Sequence, residues 1–153
     1  MKKIMLLILL LSTALVSGFA ENAIELKKAE FMWSVDGDEL SISMKAETKG
    51  WLAVGLGTLR MDGSTMFMGY NKDSEAYFEE HLGKGHRHKK TAVQRPVVFE
   101  VTEENGETEL KFTVLKSDFV KSGQTDLPVI VAYGTRDNFS SIHRYRDSTT
   151  IEF

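Results

Sequence analysis

The feature that most constrains the fold of this chain is a two-residue alternation of apolar and polar side chains. In the segment ELSISMKAE, every second position from Leu40 to Ala46 is apolar, and two serines and a lysine stand between them. Successive side chains of a β-strand point to opposite faces, so this pattern predicts a strand with one buried and one solvated face.

Turn residues connect this strand and others into hairpins. Asp36, Gly37 and Asp38 separate ELSISMKAE from the preceding apolar segment AEFMWSV. Farther along, Asn105 and Gly106 stand in the middle of VVFEVTEENGETELKFTVL, which alternates on both sides of them. Asn-Gly between alternating segments is a strong local signal for a two-residue β-hairpin turn.

The remaining segments complete an all-β pattern. The short apolar run Pro128–Gly134 is typical of a strand covered on both faces, and TTIEF predicts a last strand. Only Ser117–Gly123 suggests a helical turn, and the polar stretch His81–Pro96 predicts a long loop. About eight to ten short strands with regularly spaced turns predict a single-domain antiparallel β-sandwich.

The first twenty residues have the pattern of a secretory signal peptide. Lys2 and Lys3 precede an apolar stretch, and Gly18 and Ala20 form a small-x-small cleavage site. We therefore expect residues 1–20 to be removed after Ala20, and the mature domain, residues 23–153, to be periplasmic or extracellular. After this cleavage we expect no stable membrane span.

Charge and cysteine content exclude several classes of function. Without Lys2 and Lys3, 17 basic residues face 22 acidic ones, a net charge of −5, which argues against a nucleic-acid partner. The chain has no cysteine, so it can hold neither a thiolate metal site nor a covalently attached haem. No nucleophile, phosphate-loop or zinc-protease motif occurs, and we expect no enzymatic activity.

Two segments carry side chains that could bind a cofactor. Met61, Met66, Met68 and Tyr70 lie in the glycine-rich stretch 50–73, where methionines most often fill gaps in a core. Near the C-terminus, His143 stands beside Arg144 and Arg146. Taken alone, a histidine between charged residues is more often solvated than a ligand.

A third segment, KGHRHKK, leaves two possibilities open. His86 and His88 are two residues apart, with Glu79 and Glu80 close in sequence, so a zinc or copper site using these histidines and His81 is conceivable. Most of the segment is basic, and positive charge repels a metal cation. A solvated loop is therefore the favoured interpretation.

Three motifs in a fixed order give the chain a family resemblance. They are GWLAVGLGT, then MDGSTMFMGY, and finally VIVAYGTRDNFSSIHRYRDSTTIEF. In this order they resemble the DOMON family, β-sandwich domains similar to the cytochrome domain of cellobiose dehydrogenase and the N-terminal domain of dopamine β-monooxygenase. The resemblance extends over Ala23–Phe153.

The resemblance implies a cofactor and its ligands. Many members of the family bind one haem b through a methionine and a histidine, which places these roles on Met61 and His143, with Met66 in reserve. Such an exported cytochrome b domain would transfer single electrons between a redox partner protein or a small-molecule donor or acceptor. The residues that could pack against the haem or pair with a propionate are Trp51, Tyr70, Arg144 and Arg146.

The resemblance leaves a second function open. Other members of the family lack haem and are thought to bind carbohydrate or other ligands. An exposed aromatic platform would then be expected, whereas Trp33, Trp51 and Tyr133 lie in apolar segments that predict burial.

Overall fold

The alternating segments form eleven strands in residues 22–153, the part of the chain that the computed structural model describes. This number is close to the predicted eight to ten, and the predicted signal peptide lies outside the described residues. The strands are β1 (Asn22–Leu26), β2 (Ala29–Asp36), β3 (Glu39–Ala46), β4 (Leu52–Leu56), β5 (Thr65–Lys72), β6 (Glu75–Lys84), β7 (Arg87–Lys90), β8 (Val98–Glu104), β9 (Glu107–Leu115), β10 (Asp126–Tyr133) and β11 (Tyr145–Glu152).

The strands form two sheets that pack face to face. One has five strands in the order β1-β2-β3-β9-β8, and the other has six in the order β11-β10-β4-β5-β6-β7. Every pair of neighbouring strands is antiparallel. The predicted antiparallel sandwich is therefore confirmed, and the apolar run that forms β10 lies between two strands, as its composition suggested.

The Asn-Gly turn forms where the sequence predicts it. Asn105 and Gly106, between β8 and β9, have φ angles of 54° and 84°. Both values lie in the left-handed region that a two-residue hairpin turn requires, and that asparagine and glycine tolerate best. The turn sets the register in which Val101 of β8 faces Leu110 of β9.

The inner faces of the two sheets form the main hydrophobic core. Phe67 lies near its middle, with ring centroids 4.6 Å from Phe112 and 6.0 Å from Phe119. Leu40, Ile42 and other alternating residues of the sequence pattern point into this core. Burying one such side chain stabilises the folded state by about 1.5–3 kcal/mol.

The predicted long loop His81–Pro96 is wrong over most of its length. Strand β6 continues to Lys84, and after a turn at Gly85, with φ 60°, β7 pairs back along it. The polar composition concealed an edge hairpin, because an edge strand can be hydrophilic on its solvent side. Within the predicted loop, residues 91–96 lack regular structure.

The segment 91–97 is held by a buried carboxylate. Glu80 is fully buried and accepts hydrogen bonds from the backbone N–H of Arg95, at 2.8 Å, and from the guanidinium of Arg95. The hydroxyl of Thr91 donates to the same carboxylate at 3.2 Å. A buried charge requires such partners, so this cluster has a structural explanation.

Helical structure is limited to one short turn among the described residues. A 3-10 turn, Lys116–Asp118, overlaps the start of the predicted helical turn. No helix in residues 22–153 has the length and hydropathy of a membrane span.

Candidate functional site

A second apolar cluster lies on the outer face of the six-stranded sheet. Trp51, Ala53, Met66 and Met68 are buried there, and partly buried side chains surround them. The surrounding residues are Met61, Tyr70, Ile130, Ala132 and Phe139. We call this cluster the outer apolar patch. An outer sheet face is normally solvated, so an apolar one needs a cover.

The cover is the segment 134–144, which connects β10 to β11. The indole N–H of Trp51 donates a hydrogen bond of 2.8 Å to the hydroxyl of Ser141. Gly134 permits this arrangement, because a Cβ there would lie only 2.1 Å from the indole nitrogen. Trp51 thus both belongs to the patch and fastens the segment that covers it.

Phe139 is the side chain of this segment that enters the patch. Its ring centroid lies 4.8 Å from that of Tyr70 and 5.9 Å from that of His81. Phe139 was not among the site residues predicted from the sequence. The available signal was one large aromatic residue in the otherwise polar stretch TRDNFSS.

Met61 lies at one end of the patch, in the loop between β4 and β5. Its carbonyl accepts a hydrogen bond of 3.0 Å from the N–H of Ser64. The loop packs directly on β6, since a Cβ at Gly83 would lie 1.8 Å from the Met61 carbonyl oxygen and 3.1 Å from its Cγ. Met61 is half-buried against the patch, whereas Met66, the reserve candidate, is buried within it on β5.

His143 lies near the other end of the patch. It is half-buried and directly precedes Arg144, whose N–H donates a hydrogen bond of 2.8 Å to the carbonyl of Tyr133. Tyr133 pairs with Leu52 at the start of β4, while the Met61 loop follows Leu56 at its end. At about 3.3 Å per residue, these two ends of β4 are about 13 Å apart.

The structure therefore places Met61 and His143 at opposite ends of one covered patch, without direct contact between them. Between the two ends lie the paired residues Ala53 and Ala132. Because their side chains are small, the surface of the sheet is depressed there. The assignment of Met61 and His143 as the two ligands of one iron stays a prediction.

Two buried polar atoms in this region have no hydrogen-bond partner among residues 22–153. The hydroxyl of Ser64 is fully enclosed beside Gly55, where an added Cβ would lie 2.2 Å from it, and one carboxylate oxygen of Asp137 is also enclosed. Unpaired buried polar atoms are rare in folded proteins. A thioether and an imidazole, the side chains that ligate haem iron in some cytochromes, both border the patch.

The remaining candidates lie around the rim. Tyr70 is half-buried, and burial raises its pKa, with further contributions from Asp137 and Glu79. Arg144 and Arg146 are exposed, Arg146 next to Ala132 in the strand pairing. Neither arginine forms an ion pair with the residues that the structure describes, so both are available to a carboxylate.

A cavity of about 520 Å³ opens beside the patch, between the β6–β7 hairpin and the covering segment. Its lining consists of His81, His86, Arg87, His88, Phe139 and Ser140, and does not include Met61 or His143. The sequence favoured a solvated loop here, but His81 is buried and His88 is half-buried.

Two solved structures have a similar fold. The cytochrome b domain of pyranose dehydrogenase from Coprinopsis cinerea has 12% sequence identity and a TM-score of 0.61, over 81% of this chain and 76% of that chain. The cytochrome domain of Myriococcum thermophilum cellobiose dehydrogenase has 10% identity and a TM-score of 0.66, over 88% of this chain and 82% of that chain. No curated protein matches the sequence.

A comparison of the sequence with known protein families identifies the family. The DOMON domain family matches residues 25–134, a range that includes Met61 and ends before His143. This match spans more than half of the chain and includes the strands from β2 to β10. The chain therefore belongs to the DOMON domain family.

Proposed function

We propose that this domain binds one haem b non-covalently and transfers single electrons, with Met61 and His143 as the axial ligands of the iron. The observation that carries the proposal is their placement at the two ends of one covered apolar patch. Met61 packs against Gly83 of β6, and His143 adjoins the start of β4, so both side chains would turn toward the low surface formed by Ala53 and Ala132 to reach one iron. The similar fold of two cytochrome b domains supports the same cofactor.

The residues of this chain would hold the haem by burial and by charge. Trp51, Met66 and Met68 supply an apolar wall that excludes water. Arg144 and Arg146 lie exposed near the His143 end of the patch, where a guanidinium can pair with a propionate. Bound haem supplies one-electron redox chemistry, and a thioether ligand favours its reduced form.

The proposal also concerns location and partners. Residues 1–20 would direct export, because Lys2 and Lys3 precede an apolar stretch and a small-x-small site. The domain would exchange electrons with a redox partner protein or a small molecule, without catalysing a reaction itself.

The test is the visible spectrum of the protein and its single-site variants. After reconstitution with haem, we expect a Soret band and sharp bands on reduction. His143→Ala and Met61→Ala should each abolish the low-spin spectrum, whereas Met66→Ala should keep it. Far-UV circular dichroism controls for folding. A wild-type spectrum in the His143→Ala variant would refute the assignment of that ligand.

No observation favours the haem-free carbohydrate module. The outer face of the five-stranded sheet is open, but its described outward positions, such as Ser41, Ser43, Lys111 and Thr113, carry no aromatic ring. A protein that stays colourless with haem and gains thermal stability with sugars would support this alternative instead.

A further inference from the structure

We propose that the β6–β7 hairpin carries a binding site for a divalent transition-metal ion, formed by His81 and His88 with His86 as a third ligand. Copper(II) is the ion we expect to bind most tightly. This site uses none of the proposed haem ligands, although Gly83, the strand partner of His88, packs against the Met61 loop.

The first support is the distance between two imidazole nitrogens. His81 pairs with Lys90, and His88 pairs with Gly83, so the two histidines occupy diagonal positions on the same face of the hairpin. Their ring centroids are 4.8 Å apart, and their Nδ1 atoms are 2.8 Å apart. Two cis nitrogens bound at about 2.0–2.1 Å in the square-planar geometry that Cu²⁺ prefers are about 2.8–3.0 Å apart, so the pair can admit the ion with little movement.

The second support is the hydrogen bond on the far side of His81. Its Nε2 lies 2.8 Å from Oε2 of Glu79. A carboxylate only accepts hydrogen bonds, so Nε2 carries the proton and Nδ1 of the neutral ring keeps a free lone pair toward His88. Histidine ligands of metals typically donate their second ring N–H to a carboxylate, which orients the ring.

Glu79 is itself held in place. The ammonium of Lys90 donates a hydrogen bond of 2.7 Å to Oε1 of Glu79, while His81 binds the other carboxylate oxygen. Lys90 is therefore ion-paired with Glu79.

His88 can take the tautomer that ligation requires, because its Nδ1 lies 2.8 Å from Nδ1 of His81. Without metal, one proton is shared between the two facing nitrogens, with His88 as the donor. When a metal enters, this proton moves to Nε2 of His88, so both rings stay neutral and each presents a lone pair to the ion.

The third ligand would be His86, which lies in the cavity beside the pair. His86 and His88 both line the cavity of about 520 Å³, which is open enough to admit a hydrated ion. Residues 22–153 hold no preassembled group of three metal-ligating side chains, so the exposed His86 must turn toward the pair. Solvent completes the coordination.

The chemistry of the ligands selects the metal. Imidazole nitrogens follow the order of affinity in which Cu²⁺ binds most tightly among the first-row divalent ions. The positive charge of Arg87, which lines the same cavity, weakens the binding of every cation. Only an ion with high intrinsic affinity for imidazole is then retained.

The experiment is a copper titration of the full chain, with a competing chelator of known affinity. We expect one Cu²⁺ per chain, with nitrogen hyperfine structure in the electron paramagnetic resonance spectrum. His88→Ala and the double variant with His81→Ala should each bind at least about tenfold more weakly. Glu79→Gln should also lose about 10–100-fold, because the carboxylate orients His81.

Two controls make the outcome decisive. His143→Ala removes the fourth histidine, and it should leave copper affinity unchanged while abolishing the proposed haem spectrum. His81 is buried, so His88→Ala, at a half-buried position, keeps the test valid if His81→Ala does not fold. Equal copper affinity in the wild type and in His88→Ala would overturn the proposal, whatever the haem spectra show.

Discussion

The two outer faces of the sandwich differ in character although both belong to antiparallel sheets. On the five-stranded sheet, Ser43 donates a hydrogen bond of 2.9 Å to Glu109, and Lys111 lies 3.1 Å from the same carboxylate. On the six-stranded sheet, the corresponding surface carries Trp51, Met66 and Met68, and a segment of the chain lies over it.

The difference shows which outer face requires a cover. Polar side chains on the five-stranded face satisfy one another and water, so that face needs no cover. An apolar face exposed to water costs about 25 cal/mol per Å², so the six-stranded face requires the covering segment 134–144. Both proposed sites, for haem and for copper, adjoin the covered face.

The largest expected effect comes from removing the side chain that joins the patch to its cover. Trp51→Ala should lower the free energy of unfolding by about 3–5 kcal/mol, because it leaves a cavity and frees the segment 134–144. Denaturant unfolding monitored by far-UV circular dichroism measures this change.

Two matched variants separate packing from hydrogen bonding. Trp51→Phe keeps an aromatic ring but loses the hydrogen bond to Ser141, which should cost about 1 kcal/mol, apart from any loss of packing. Ser41→Ala on the open face loses only the hydrogen bond of 2.9 Å with Thr113, a loss of similar size. If Trp51→Ala cost no more than Ser41→Ala, the contrast between the two faces would fail.

A smaller effect is expected where the cover itself is trimmed. Phe139→Ala should cost about 1–2 kcal/mol, roughly half the cost for a fully buried phenylalanine, because Phe139 is only half-buried. The exposed patch should then bind a hydrophobic fluorescent dye that the wild type excludes. Unchanged stability without dye binding would show that Phe139 does not seal the patch.

The smallest expected effect on stability concerns an ion pair on the outer face of the five-stranded sheet. The hydrogen bond with Glu107, 2.7 Å away, is the main cause that raises the pKa of Lys45 above its ordinary value of 10.5. A raised pKa for a lysine contributes stability that is full below pH 10.5 and is lost as the pH rises through the folded-state pKa.

The variant Glu107→Gln tests this sign. At about pH 8, where the lysine is charged, the melting temperature of this variant should be slightly below that of the wild type. The difference should shrink as the pH rises past the folded-state pKa of Lys45, as thermal melts across that range would reveal. A difference that grows with pH would contradict the assignment.

Much of the fold was predictable because its signals are local. The alternation around Ile42 and the Asn105–Gly106 turn act over a few residues, and both appear in the structure as predicted. The buried states of Trp33, Trp51 and Tyr133 were also expected from their apolar neighbours, and they are confirmed.

The candidate site was predictable only in part. Family resemblance pointed to Met61 and His143, but the way in which they flank one patch depends on the pairing of β4 with β10. The contribution of Phe139 was missed, because no local pattern indicates which loop side chain folds back onto a sheet. The hairpin at His81 was mistaken for a loop, since polar edge strands resemble loops in composition.

The sequence by itself determined most of the strands and the Asn105–Gly106 turn, because alternation and turn preference depend on neighbouring residues. Only the tertiary structure decided that His81 and His88 meet within 2.8 Å, and that segment 134–144 covers the outer apolar patch. Strand register and the path of a loop arise from contacts between residues far apart in the chain, and local pattern does not encode them.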